Sequence, residues 1–145
     1  LALLEDPMEV IEKLSPYAVT AHLKDATLEE YDEGFLLGDI PLGEGFLDLK
    51  QVVALLRKHK PNLPLLLECI TRNPLRIPCL TDKYWATFPD RSGLLLARAL
   101  RRARAHKPKW QMALPANPPA ALLREMETKH IETSIGYARD ALGMV

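Results

Sequence analysis

Two side chains in this sequence carry the clearest chemical potential, and each closes an apolar run. Residues 17–25 read YAVTAHLKD and end in His22, Lys24 and Asp25, while residues 63–70 read LPLLLECI, with Glu68 as their only charge. An imidazole and a carboxylate are ligands for hard and borderline divalent cations. A carboxylate that follows Leu65, Leu66 and Leu67 is costly to bury without a partner. A hydrogen-bonded structural histidine is the ordinary alternative for His22. For Glu68 the alternative is an ion pair.

Both runs have the length and composition of strands. Alternation over residues 17–23 sets Ala18, Thr20 and His22, with Lys24 beyond, on one face and Tyr17, Val19, Ala21 and Leu23 on the other. Both faces are mostly small or apolar, which predicts a strand covered on both sides. Between the two runs lie a glycine-punctuated stretch over 25–47, expected to be a long loop, and a helix capped by Asp48. Leu49, Val52, Val53 and Leu56 make one face of that helix, and Arg57, Lys58 and Lys60 complement its C-terminal dipole. Strand, helix, strand in this order predicts a right-handed parallel crossover. Its ligand side is the edge beyond the strand carboxyl ends, where His22 and Glu68 both fall.

The flanking segments read more simply. Asp6-Pro7 starts a short helix that Ser15-Pro16 stops. Residues 71–89, with three prolines and Tyr84, Trp85 and Phe88, are expected to form a loop or short turns over the site, or else an aromatic plug. A helix is predicted from Asp90 to about His106, with Arg98, Arg101, Arg102 and Arg104 on its wet face. A last helix is predicted from about Asn117 to Leu142, with Pro118 and Pro119 in its first turn and Gly143 as its stop. Leu123, Met126, Ile131, Ile135, Ala138 and Leu142 would be its buried stripe. Residues 1–145 are read as a single domain, with residues 117–143 packing outside it or against another subunit.

Charge is balanced overall and lopsided along the chain. Residues 1–48 hold twelve Asp and Glu against two Lys and Arg, and the remainder holds seven against seventeen. Solvated helix faces account for this, and a basic surface for phosphate or nucleic acid is the sharper alternative. Two cysteines, Cys69 and Cys79, suit neither a disulfide framework nor a thiolate metal site. A buried Cys69 and an incidental Cys79 are expected, with a bridge between them left open. No run approaches the roughly 18 apolar residues of a membrane span, so no membrane partner is expected.

The runs AHLKD (21–25), PLGEGFLD (41–48), LLLE (65–68) and YARDALG (137–143) together resemble the sugar phosphate isomerase/epimerase family, which has a xylose-isomerase-like TIM barrel. The resemblance implies an α/β fold, the C-terminal part of a (β/α)8 barrel, with two parallel strands, flanking helices and a C-terminal helical extension. It implies that His22 and Glu68 are metal ligands at the ends of the seventh and eighth strands, holding Mn, Mg, Co or Zn. Glu68 would also be the catalytic acid/base. Two further acidic ligands of the family would come from strands ahead of residue 1, the nearer just before residues 1–6. Glu5 and Asp6 lie at a helix start and do not replace them, so the chain is expected to hold half a metal site.

The implied function is isomerisation or epimerisation of a sugar or sugar phosphate through an enediolate, with the metal polarising the carbonyl. Lys24 and Glu44 are the candidate substrate contacts, against ordinary readings as a strand-end lysine and an exposed loop acid. Gly43 and Gly45 are expected to serve backbone shape. The alternatives are a keto-polyol dehydratase on the same barrel and a non-catalytic fragment or binding protein. Less favoured is the DNA-repair endonuclease branch, which needs more ligands than His59, His106 and His130 offer. No nucleic-acid partner is therefore expected, and a homo-oligomer stays open. Cytoplasm is the default compartment. Two strands with unpaired edges predict an isolated chain that is unstable or associates.

Overall fold

A computed structural model describes residues 1–109 and 112–144. Helix α1 (Pro7–Leu14) begins where Asp6 accepts the N–H groups of Met8 and Glu9, and it gives way to a 3-10 turn at Ser15–Tyr17. Strand β1 (Ala21–Leu23) follows, then β2 (Asp25–Tyr31) and β3 (Gly34–Ile40). Helix α2 (Leu49–His59) leads into β4 (Leu65–Leu67) and β5 (Leu75–Ile77). The chain ends in α3 (Asp82–Trp85), α4 (Gly93–Ala105) and α5 (Ala120–Leu142).

The chain is mixed α/β, and β1 pairs with β4 in parallel, Ala21 opposite Leu65 and Leu23 opposite Leu67. Both strands are shorter than the runs that predicted them. The 3-10 turn takes up Tyr17, and Pro64, with no N–H of its own, uses its carbonyl to accept from Ala21 N–H and from the Thr20 hydroxyl. β1 is also not covered on both sides. Leu23 is buried against α2, whereas His22 on the opposite face is exposed.

The predicted long loop over 25–47 is instead mostly a hairpin. β2 and β3 pair antiparallel over seven residues, from Asp25 opposite Ile40 to Tyr31 opposite Gly34, so Asp32 and Glu33 form a two-residue turn. Burial holds them in place, with Asp25 to Leu28 all buried, and Leu28 and Phe35 enter a core with Leu4, Ile77, Cys79, Ala99 and Ala103. The predicted irregular segment over 71–89 likewise contains β5, which adds to β3 with Phe35 opposite Ile77. Its aromatics pack on that hairpin core: Tyr84 donates to Ala2 O at 2.7 Å and Trp85 Nε1 to Cys79 O at 2.9 Å.

Helix α2 matches its predicted span, with Asp48 accepting Gln51 N–H and Leu49, Val52, Val53 and Leu56 buried. These join Leu23, Leu42 and Leu142 in a second core. α4 starts later than predicted, at a Ser92 cap. α5 starts after Pro119 and ends at Gly143 with φ +62°. Its predicted stripe is partly wrong. Ile131 and Ile135 are exposed, while Ser134 is fully buried and its hydroxyl accepts Leu42 N–H at 3.1 Å. A polar residue takes this face because an orphan backbone donor must be satisfied there. Cys69 is half-buried and Cys79 fully buried, the reverse of their expected order, and both thiols are free.

Candidate functional site

The register of β1 on β4 brings the sequence-predicted site residues together. His22 lies opposite Leu66, and Glu68 N–H bonds Leu23 O one step beyond the ladder. Alternation then puts His22, Lys24, Leu66 and Glu68 on one face, the face turned away from α2. His22 Nδ1 is 2.9 Å from Glu68 Oε2, and Lys24 Nζ is 2.8 Å from Glu68 Oε1. Each carboxylate oxygen therefore has its own partner.

The group continues into β3 and beyond. Lys24 Nζ is 3.9 Å from Asp39 Oδ2, and Arg72 Nη2 is 3.1 Å from the same oxygen. His22, Glu68, Lys24, Asp39 and Arg72 thus form one connected polar chain across three segments. The Lys24 hydrogen bond, then that of His22, holds the Glu68 carboxyl below the usual carboxylate range. A carboxylate so held is a ready ligand and a poor base near neutrality.

Glu44 is not part of this group. It lies in the 41–47 loop beside Pro41, Lys129 and His130, where α5 crosses. The organiser of that loop is Asp25, a residue for which the sequence suggested no role. It is 1 % exposed and accepts four backbone N–H groups. Oδ1 takes Ala26 at 2.8 Å and Leu47 at 3.3 Å, and Oδ2 takes Gly43 at 3.0 Å and Gly45 at 2.9 Å. Burial pushes its carboxyl up, and the four N–H bonds pull the other way. Gly43 has φ +84°, and a Cβ there would run into the Tyr137 ring; a Cβ on Gly45 would run into Asp25 itself. The glycines do serve backbone shape, by letting this loop close on one carboxylate. The G-x-G pair that begins five residues ahead of the Asp48 N-cap was the available signal, since clustered loop N–H groups need an acceptor.

The donor set can be tested against a divalent ion. Two ligands about 2.1 Å from one metal and at right angles to each other stand about 3 Å apart, close to the observed His22–Glu68 spacing. Lys24 occupies the other carboxylate oxygen and leaves Oε2 facing the imidazole. The pair fits as two neighbouring ligands of a larger set. Among the described residues no group of three or more His, Cys, Asp or Glu converges to complete it. Neither is any helix among them long and apolar enough to cross a membrane. Comparison with protein-family models, with curated proteins and with solved structures finds no match.

Proposed function

We propose that the chain supplies part of the site of a divalent-metal-dependent sugar or keto-sugar isomerase or epimerase, built on the C-terminal part of a (β/α)8 barrel. The observation that carries this reading is the convergence of His22 and Glu68, 2.9 Å apart, at the carboxyl ends of neighbouring parallel strands. In open α/β sheets that edge is where ligands bind. His22 and Glu68 would hold the ion, and the bound ion would supply polarisation of a substrate carbonyl. Lys24, at the same edge, would direct its ammonium at a substrate oxygen once a cation takes over Glu68. A divalent ion would hold the Glu68 carboxyl still lower than the ammonium does, so Glu68 would take and return a proton only through an oxygen that the ion leaves free. Dehydration of a keto-polyol would use the same groups.

The reading is tested by adding Mn ions to the isotopically labelled chain and following paramagnetic broadening. A two-ligand site binds weakly, so a probe that reads weak binding is required. Selective broadening at His22, Lys24 and Glu68, lost in Glu68→Ala and in His22→Ala, is the expected result. Broadening spread over the exposed acids Glu29, Asp32 and Glu33 as strongly as over the site would sink it.

A second reading has its own observation. Lys24 satisfies Glu68 at 2.8 Å with no cation needed, as an ordinary surface ion pair would in a non-catalytic protein. Under that reading Glu68→Ala changes neither metal nor sugar binding.

A further inference from the structure

At the Asp39–Arg72 end of the polar chain, a pocket of about 90 Å³ lies between β3, the segment after β4, and α5. That is room for a few water molecules, or for a short tail of hydroxylated carbons. Ile40, Ile70, Met112 and Met126 give it apolar walls. Three buried polar atoms on its lining residues have no hydrogen-bond partner among the described residues: Thr71 Oγ1, His130 Nδ1 and Asp39 Oδ2. Asp39 Oδ2 has Arg72 at ion-pair distance, but at an angle that makes no hydrogen bond. Buried polar groups are nearly always satisfied, so three around one small pocket call for an occupant with matching hydrogen bonds.

The chemistry of the three narrows the occupant. A carboxylate oxygen accepts, a threonine hydroxyl donates and accepts, and a neutral imidazole nitrogen does one or the other. Burial, the largest influence on His130, lowers its proton affinity and keeps the ring neutral. A phosphate would have to compete with the Asp39 carboxylate for the Arg72 guanidinium, which that ion pair already occupies. Alcohol groups both donate and accept, and their C–H faces suit methionine and isoleucine walls. The pocket also joins the proposed metal ligands through Lys24, which is shared between Glu68 and Asp39.

The geometry points to a subsite, formed by Asp39, Thr71, Arg72 and His130, for the hydroxylated and unphosphorylated tail of the sugar whose reacting end meets Glu68. This rests on the isomerase or epimerase reading for the reacting end, and on the pocket alone for the tail. The corresponding substrate class is a free sugar rather than a sugar phosphate.

The test titrates the full chain with ribitol and, separately, with ribitol 5-phosphate, following the His130 ring and the Thr71 methyl by NMR. Ribitol is expected to shift both signals saturably, and the phosphate ester to bind more weakly. Thr71→Val, which keeps the side-chain outline and removes the hydroxyl, is expected to weaken ribitol by about tenfold. Asp39→Asn, which keeps one acceptor, should weaken it less. Equal or tighter binding of the phosphate ester, or ribitol binding unchanged in Thr71→Val, overturns the subsite. The Mn arm separates the two readings. Selective Mn broadening at His22 with no ribitol shift at His130 rejects the subsite alone. Ribitol binding without Mn at His22 upholds the pocket and rejects the metal chemistry.

Discussion

At the scale of single residues, the most consequential side chain is Asp25. Two oxygens accepting two N–H groups each use every acceptor position of a carboxylate. An asparagine keeps the shape but turns an NH₂ toward two N–H donors and leaves them unpaired. Asp25→Asn is therefore expected to cost about 2–3 kcal/mol, seen as a lower urea midpoint with an unchanged m-value. Lys24 works in the opposite sense on function. Its ammonium competes with any cation for Glu68, so Lys24→Met should tighten Mn binding several-fold, read from the same broadening titration. Looser binding in that variant would mean that Lys24 organises the site rather than guarding it.

At the scale of elements, period-3.6 patterns and caps made α1 and α2 readable from sequence, because Asp6-Pro7 and Asp48 act locally. The hairpin is hard to read because Gly34, Gly38, Gly43 and Gly45 suggest a loop and outweigh the apolar residues Ala26, Leu28, Phe35 and Leu37 that the two strands share. β5 gains its identity only by pairing with β3, which no local pattern reveals. The site was legible as far as His22, Lys24 and Glu68, whose meeting follows from strand alternation and parallel register. Asp39 and Arg72 were not legible, since the hairpin and the chain after β4 bring them in.

Helix α4 explains the lopsided charge. Arg98 pairs with Glu9, Arg102 with Asp6 and Arg104 with Glu30, and beyond the helix Arg72 pairs with Asp39 and Arg91 with Glu5. The basic half of the chain thus folds onto the acidic half. Exposed pairs of this kind contribute little, so Arg98→Ala and Arg104→Ala should each cost less than about 1 kcal/mol by urea denaturation. Helix α5 carries a pH dependence. Burial makes His130 bind its proton less readily in the folded than in the unfolded chain. Its contribution is therefore present at neutral pH and lost as pH falls below the ordinary histidine value of about 6.5. Between pH 7 and 5.5 the melting temperature should fall further in the native chain than in His130→Gln.

At the scale of the whole molecule, the β1–β4 pair is the least finished part. Two parallel strands of three residues each make a sheet with no further strand on either side among the described residues. Parallel sheets are normally covered on both faces, yet Leu66 is 45 % exposed on the face that carries His22 and Glu68, and Leu67 is 38 % exposed on the other. Val19, just ahead of β1, is 83 % exposed. Unpaired N–H and C=O groups beside exposed leucines are a template for another strand. The chain is therefore expected to associate, and sedimentation velocity over a tenfold range of concentration should show the average species growing. Leu66→Lys places a charge on the open face without touching α2, so it should restore a monomer while the hairpin core with α4, and the second core around α2, keep their far-ultraviolet signature. A native chain that stayed monomeric throughout and unfolded in one sharp transition would mean that three residue pairs and the α2 face suffice. The outward side of β1 and β4 would then be a finished surface, and the case for further barrel strands around His22 and Glu68 would lose its physical basis.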